Sequence, residues 1–196
     1  MKVFKATKAD MTCTMGRGVF RYELGKTYTA EECKCGRTGL HSCEYVLDCA
    51  GYYEMDGTNR FFEAEASGDI HEIGGDDTRV SSTELKLVRE LNLQRICFEA
   101  LSYMISHPGR KWQREGRNHI VRENMVGMLK RGAMGIARGF EPKISGELGA
   151  VLGLAHEENG EIRAAKLITI DAILYHPGVT YQLTKEGALI RCAPRL

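Results

Sequence analysis

The chain has 196 residues, of which 43% are hydrophobic and 27% are charged, and its formal net charge is +1. This composition is ordinary for globular proteins, and the length suits one large domain or two small ones. The small net charge argues against a chain that binds nucleic acid electrostatically as a whole. The sequence contains no run of eighteen apolar residues, so no membrane span is predicted. Because the N-terminus lacks the apolar core of a signal peptide, we expect a cytoplasmic protein whose seven cysteines stay reduced.

The first half of the chain reads as short strands followed by a helix. Alternating residues predict strands over 3–7 and 19–24. A turn at Gly39 leads into a buried strand over 40–43. A helix is predicted from Tyr45, because its apolar residues then recur at helical spacing. We therefore expect His41 to lie on a strand just ahead of a helix.

Longer elements follow. Strands are predicted over 60–68 and 80–91, and alternation in the first puts Phe62, Ala64 and Ala66 on one face. The segment 92–106 has apolar residues at the i, i+3, i+4, i+7 positions of a helix, with Asn92 as its N-cap. This is the second helix predicted for the N-terminal part.

Glycine recurs in the last third of the chain, at 127, 132, 135, 139, 146, 149 and 153, which favours short strands with tight turns. Two hairpins are predicted beyond them, over 151–170 with an Asn-Gly turn and over 179–192. The predicted fold class is α+β. It consists of an N-terminal mixed sheet with two helices over 1–106, a basic linker over 107–118, and an all-β Gly-rich roll over 119–196.

The chain resembles an uncharacterised family of phage- and prophage-encoded proteins. The resemblance is carried by 3–6 with 10–11, by 22–28, by 35–44 with 52–53, by 60–68, and by the C-terminal stretches 146–171 and 180–183. In such proteins a solenoid-like repeat often follows the N-terminal part, and here it is reduced to about 124–150. The resemblance implies a virus-borne accessory protein in a host bacterial cell, and it transfers no established activity.

The N-terminal part also resembles ADP-ribosyltransferase-like folds, over 39–53, 62–70 and 83–88. The resemblance implies a site that binds NAD, with Lys5 where that family has His or Arg, His41 where it has Tyr or Ser, and Glu84 at the catalytic Glu. Two of these three residue types depart from the usual set. Such a transfer needs a carboxylate to stabilise a developing oxocarbenium ion. The alternative is that Glu84 faces solvent, because Leu85 and Leu87 point the other way.

Cysteine and histidine cluster in the first fifty residues, and these residue types are good zinc ligands. The weak candidates are Cys33, Cys35, His41 and Cys43. The spacing argues against zinc, because Cys33 and Cys35 are separated by one residue instead of two, and the sequence contains no Cys-x-x-Cys pair that could complete a site with them. We therefore predict no metal site. The alternative to zinc ligation is that these cysteines are small, buried thiols.

A basic segment lies between His107 and Arg138, with eight Lys and Arg residues against two Glu. Cations bind phosphates, and an aromatic side chain among them stacks on bases or anchors a protein partner. The alternative is a solvated linker with the tryptophan packed on its own domain. The predicted partner-binding residues are Arg110, Lys111, Trp112, Arg114, Arg117 and Arg122.

Three functions are consistent with the sequence. The first is an accessory protein that inhibits a bacterial defence system such as CRISPR-Cas by binding a host protein or nucleoprotein complex. The second is an NAD-binding ADP-ribosyltransferase-like enzyme. The third is a structural or assembly protein that forms a homo-oligomer, because open sheet edges favour self-association. The first is preferred, because no complete catalytic motif is present.

Overall fold

The computed structural model describes residues 1–14 and 18–192, and strands account for 52% of the structure against 11% for helices. The chain divides between Asn92 and Leu93 into an N-terminal unit and a C-terminal unit.

Antiparallel strands and one short 3-10 helix form the N-terminal unit. The 3-10 helix, Val46–Gly51, lies between β5 and β6. In chain order the strands are β1 Lys2–Lys8, β2 Thr12–Cys13, β3 Phe20–Arg21, β4 Thr27–Thr29, β5 Leu40–Cys43, β6 Asn59–Glu72 and β7 Arg79–Leu91.

Four of these strands close a ring. Strand β5 pairs with β7 and with β1, and β1 pairs in turn with β6. The ring closes because β6 also pairs with β7. Strand β4 pairs with the edge of β7 that does not face β6. The register places Phe4 opposite Cys43, and Cys43 opposite Arg79. The ring therefore brings the middle of β1, the strand β5 and the start of β7 together, although they are distant in sequence. The core contains Phe62, Ala64 and Ala66, which confirms the predicted inner face of β6.

The prediction of an α+β fold with two helices in the N-terminal part is wrong, because the protein is mostly β-sheet. In the described part of the N-terminal unit, the predicted helix at Tyr45 is only the 3-10 helix. Its residues Val46, Leu47, Asp48 and Cys49 are all buried, so their apolar spacing reflects burial on every side rather than one face of an α-helix. The predicted helix over 92–106 is observed as α1, Leu93–Ser106, but it belongs to the C-terminal unit.

The C-terminal unit combines α1 with one mixed sheet. Helix α1 packs against β10, β11 and β12. The strands are β8 Arg114–Gly116, β9 His119–Leu129, β10 Met134–Gly146, β11 Val151–Glu158, β12 Glu161–Thr169, β13 Thr180–Leu183 and β14 Leu189–Cys192.

Strand β10 organises this sheet. It pairs in parallel with β9 along most of its length, in parallel with β11 over its first half, and antiparallel with β13 beyond Glu141. Both predicted hairpins are observed, and the turn between β11 and β12 has positive φ at Asn159 and Gly160. A hydrophobic core that includes Ile144, Leu152 and Tyr181 lies on one face of the sheet.

The predicted Gly-rich roll is also corrected, because several of its glycines lie inside long strands. A Cβ on Gly153 would stand 2.8 Å from Ile136 Cγ1 and 2.9 Å from Cys97 Sγ of α1. A Cβ on Gly135 would stand 2.9 Å from Leu129 Cδ1. These glycines allow close packing between neighbouring layers, and they do not mark turns.

Candidate functional site

The N-terminal unit contains a cavity of about 510 Å³ between β1, β5, the loop before β5, the 3-10 helix and the start of β7. Three cationic side chains line it, namely Lys5, Arg37 and Arg79, and no carboxylate of the described residues does. Aromatic side chains form much of the remaining wall: Phe4, Phe20, Tyr22, Tyr52 and Tyr53. The cavity is therefore positively charged and has apolar ring surfaces.

Lys5 reaches the cavity from β1. Its Nζ donates a hydrogen bond to the backbone oxygen of His41 at 2.6 Å and lies 5.4 Å from the centre of the Tyr22 ring. No carboxylate of the described residues lies within 4 Å of this ammonium. Because an ammonium group has three donors, Lys5 keeps donor capacity for a ligand in the cavity.

Arg79 reaches the cavity from the first position of β7. Its guanidinium lies 5.7 Å from the centre of the Tyr52 ring, and its Nε is buried without a hydrogen-bond partner among the described residues. The hydroxyl of Tyr52 donates a hydrogen bond to Asp77. Burial, followed by this hydrogen bond, raises the pKa of Tyr52, so the phenol stays protonated. The Tyr52 ring therefore lies beside the guanidinium of Arg79, and the charge of the nearby Asp77 also acts on Arg79.

His41 holds the loop that precedes its own strand. Its Nε2 accepts a hydrogen bond from the backbone N–H of Gly36 at 2.8 Å, so the proton of the neutral ring is on Nδ1. Burial, together with the charges of Lys5 and Arg79, lowers the pKa of His41, while a hydrogen bond to the Gly39 backbone acts in the opposite direction. The ring therefore contacts both ends of the loop 36–39, which identifies His41 as a positioning residue in this geometry.

The three predicted catalytic residues are only partly brought together. Lys5 and His41 both line the cavity, and Glu84 does not. Glu84 lies on β7, where its Oε2 accepts a hydrogen bond from Ser67 Oγ at 2.6 Å. Its neighbours Leu85 and Leu87 are fully buried, so alternation turns Glu84 to the opposite face of the strand.

Two of the cysteines near the cavity, Cys33 and Cys35, donate to separate backbone oxygens. Cys33 Sγ donates to the backbone oxygen of Asp69 at 3.2 Å, and Cys35 Sγ donates to that of Arg79 at 3.3 Å. Cys43 is 3% exposed and its pKa is raised, chiefly by a hydrogen bond with Cys49 and by burial. Within residues 1–14 and 18–192, no group of three or more His, Cys, Asp or Glu side chains is placed to hold a metal ion.

The predicted partner-binding residues take different positions in the C-terminal unit. The side chains of Arg110, Lys111 and Arg117 are exposed. Trp112 is half-buried, and the guanidinium of Arg138 stacks on its ring at 4.8 Å. The other two predicted residues lie on strands: Arg114 is half-buried on β8, and Arg122 on β9 forms an ion pair with Glu115.

The sequence did not single out Arg79, Tyr22 or Tyr52. Each lies in a separate stretch, and none belongs to a motif with a known spacing. The pairing of β5 with both β1 and β7 brings Arg79 to the cavity, whereas Tyr22 and Tyr52 reach it from just after β3 and the 3-10 helix. The nearest signal in the sequence is the acidic turn 74–77, which ends two residues before Arg79.

We expect the stability of the protein to fall as the pH is lowered from 7.5 to 5.5. The pKa of His41, and that of His119 through burial and Arg114, lie below the usual 6.5 in the folded state. The unfolded chain then binds more protons in this range, so the free energy of unfolding is greatest above about pH 6.5 and decreases below it.

Urea unfolding followed by circular dichroism at pH 7.5, 6.5 and 5.5 measures this dependence. The carboxylates whose pKa is lowered, such as Asp10 and Glu90, titrate below this range and do not contribute. The variant His41→Gln should show a weaker dependence than the parent chain. A free energy of unfolding that is flat from pH 7.5 to 5.5 would contradict the assignment.

None of the helices within residues 1–14 and 18–192 is long and apolar enough to cross a membrane.

Comparison with known proteins gives one match. A family model described as a domain of unknown function (DUF7666) matches residues 1–99, which include every residue of the cavity wall. No curated protein and no solved structure matches the chain.

Proposed function

We propose, for a chain that belongs to the DUF7666 family of unknown function, that the N-terminal unit is a receptor for a small anionic ligand that contains an aromatic ring. A nucleotide is the ligand class that fits this description best. The observation that carries the proposal is a cavity lined by three cations and several aromatic rings, with no carboxylate among the described residues of its wall.

The two inner cations would contact the anionic group. Lys5 and Arg79 both line the cavity without a carboxylate partner within 4 Å among the described residues. A guanidinium group has five N–H donors, so the terminal N–H groups of Arg79 would donate to an anion in the cavity. Arg37 is exposed and would contact the outer part of the ligand. An oxyanion such as phosphate or carboxylate matches these groups.

The aromatic wall would contact the ring of the ligand. Phe20, Tyr22 and Tyr28 form a cluster with ring centres 4.7 to 5.2 Å apart, and Phe20 is 41% exposed. Such a cluster holds the ring of Phe20 in a fixed orientation beside the cavity. Stacking of a base on an aromatic side chain contributes roughly 1–3 kcal/mol. This contact would distinguish a nucleotide from free phosphate.

The geometry supports binding more than group transfer. An ADP-ribosyl transfer requires a carboxylate at the reaction centre, and Glu84 lies outside the cavity wall. Both nitrogens of the His41 ring are engaged by the loop 36–39. NAD belongs to the proposed ligand class because it carries phosphates and aromatic rings, and we include it in the test for that reason.

Isothermal titration with ATP, ADP, NAD, adenosine and inorganic phosphate tests the proposal. We expect at least one nucleotide to bind and to raise the stability by about 2.7 kcal/mol at 100 times its Kd, while adenosine binds weakly because it lacks an anionic group. Lys5→Met and Arg79→Met should each weaken binding about tenfold or more, since each removes a charged hydrogen-bond donor.

Lys26→Met is the matched control. Lys26 lies 5.3 Å from the centre of the Tyr28 ring, so it also forms a cation–π contact in this unit, but it is paired with Glu23 and does not line the cavity. This variant should bind nucleotide as the parent chain does. The proposal fails if none of the charged probes binds, or if the three variants weaken binding equally.

The inhibition of a host defence system by a phage-borne accessory protein stays a prediction. Its structural support is the set of exposed cations Arg110, Lys111 and Arg117. The geometry supports partner binding at this surface less than it supports ligand binding in the cavity, because the ring of Trp112 already stacks with Arg138 inside the same unit.

A further inference from the structure

The tyrosine hydroxyls in and beside the cavity of the N-terminal unit differ in whether they have a hydrogen-bond partner. Those of Tyr28 and Tyr52 donate to carboxylates, and that of Tyr53 accepts from a backbone N–H. The hydroxyl of Tyr22 makes no hydrogen bond with any described residue, although this side chain is only 4% exposed. Because buried tyrosine hydroxyls usually have a partner, the position of this one needs an explanation.

The hydroxyl of Tyr22 lies on the side of its ring that faces the cavity. Burial raises the pKa of Tyr22, and the nearby Cys13, Tyr28 and Tyr53 act in the same direction. Two of these neighbours, Cys13 and Tyr53, line the cavity, as Tyr22 itself does. Among the described side chains, Ser42 Oγ is enclosed completely without a partner, but Tyr22 Oη is not. The phenol therefore stays protonated and can donate to a molecule in the cavity.

Lys5 places a cation beside the same ring. Its Nζ lies 5.4 Å from the centre of the Tyr22 ring, and one of its three N–H groups is used by the backbone oxygen of His41. The other N–H groups of Lys5 and the hydroxyl of Tyr22 are thus donors in one part of the cavity. No carboxylate of the described residues lines the cavity to accept from them. One charged donor and one neutral donor match a ligand group that carries several oxygen atoms.

We propose that Tyr22 is a specificity-determining residue of the cavity, whose hydroxyl donates a hydrogen bond to the same phosphate group of a nucleotide that Lys5 binds. This inference rests on the proposed function and extends it, because it assigns this part of the cavity to the phosphate and not to the base. Hydrogen bonds from a hydroxyl to an anionic oxygen are roughly twice as strong as those between neutral groups. A phosphate has enough oxygen atoms to accept from both side chains.

Isothermal titration of the parent chain and of Tyr22→Phe with ATP, ADP, GTP, CTP, UTP and NAD tests this inference. Phenylalanine keeps the ring and removes only the hydroxyl. Each of these ligands that binds the parent chain should bind Tyr22→Phe about tenfold more weakly, because a donor to a charged group is lost. The loss should be similar for all of them, since they differ in their bases but all carry phosphate.

Tyr28→Phe is the matched control. The ring of Tyr28 lies 5.2 Å from that of Tyr22 in the same aromatic cluster, but Tyr28 does not line the cavity. This variant also loses one tyrosine hydroxyl, and it should bind the ligands as the parent chain does. If Tyr28→Phe weakens binding as much as Tyr22→Phe, the effect comes from the cluster as a whole and the inference is overturned.

Urea unfolding of the free proteins separates this role from a structural one. Because the hydroxyl of Tyr22 has no partner among the described residues, its removal should leave the midpoint of unfolding unchanged or raise it. A residue that only supports the fold would lose stability together with affinity. A clearly lower midpoint for Tyr22→Phe would mean that the hydroxyl has a partner within the protein, which overturns the inference.

Failure of this inference and failure of the proposed function give different results. If the parent chain binds none of the six ligands, the proposed function fails and this inference fails with it. If the parent chain binds and Tyr22→Phe binds equally well, only the role of Tyr22 is overturned. A loss of affinity that is confined to one base also overturns it, because the hydroxyl would then contact the base and not the phosphate.

Discussion

Replacing Glu157 by glutamine is expected to destabilise the C-terminal unit by about 3 kcal/mol. Arg138 is the largest fully buried side chain in the described chain, at 1% exposure, and its Nε donates to Glu157 Oε2 at 2.6 Å. Its other contacts are a hydrogen bond to Pro108 and the ring of Trp112, and its Nη1 has no partner among the described residues. The variant therefore leaves a buried cation without its counter-charge.

Urea unfolding followed by the fluorescence of the single tryptophan measures this loss in the C-terminal unit. Glu161→Gln is the matched control, because Glu161 pairs with Arg163 at 2.8 Å in the same hairpin, and both side chains are about half exposed. Its effect should stay below about 1 kcal/mol. The double variant Arg138→Met/Glu157→Gln should recover part of the loss, since it removes the buried charge. Equal losses for Glu157→Gln and Glu161→Gln would contradict this account.

Replacing Gly39 by alanine is expected to destabilise the N-terminal unit by about 3 kcal/mol. Gly39 has a φ of +88°, which costs about 1–2 kcal/mol for a residue with a Cβ. That Cβ would also meet Ser81 Oγ and would lie 2.9 Å from Cys33 Cα. Neither atom can move easily, because Ser81 Oγ donates to the backbone oxygen of Thr38 and Cys33 Cα is backbone. Overpacking of this kind costs about 1–3 kcal/mol.

The variant Gly57→Ala separates the cost of the backbone conformation from the cost of close packing. Gly57 has a φ of +87°, and a Cβ there would meet nothing within 4 Å, so this variant should lose only about 1–2 kcal/mol. Urea unfolding followed by far-ultraviolet circular dichroism compares both variants with the parent chain. Gly39→Ala should also weaken nucleotide binding, because the loop 36–39 forms part of the cavity wall. If both variants lose the same stability, the close packing around Gly39 is not the cause.

Elements defined by local pattern could be predicted from the sequence. The spacing of Ile96, Cys97, Ala100 and Met104 predicts α1, and the same residues are buried in the structure. The turn at Asn159 and Gly160 predicts the hairpin of β11 and β12. In both cases the signal lies within one short stretch, because an α-helix and a two-residue turn are formed by neighbouring residues.

The cavity could not be predicted in the same way. The resemblance to transferase-like folds points to Lys5 and His41 but not to Arg79, and it places Glu84 beside them. The position of Arg79 depends on the pairing of Cys43 with both Phe4 and Arg79 across three strands. A shift of one residue between β5 and β7 would turn Arg79 to the other face of the sheet. The sequence alone shows which residues of a strand alternate between its two faces. It does not show the register of that strand with a partner that is distant in the chain.

The glycines of the C-terminal unit show a second limit. Their spacing predicts turns, because the sequence does not distinguish a glycine that has positive φ from a glycine that has no space for a Cβ. Gly160 is of the first kind, with a φ of +78° and open space around it. Gly153 is of the second kind, packed against Ile136 and Cys97. Only the contacts distinguish them.

The closed ring of the N-terminal unit has a consequence for synthesis on the ribosome. Strand β1 emerges well before β5 and β6, which supply the partners for its two edges, and the ring closes only when β7 has left the exit tunnel. Until then β1 exposes unpaired backbone groups of the kind that promote association between nascent chains. A pause in translation before Leu91 would lengthen that interval, and a ribosome-associated chaperone that covers β1 would protect the growing polypeptide.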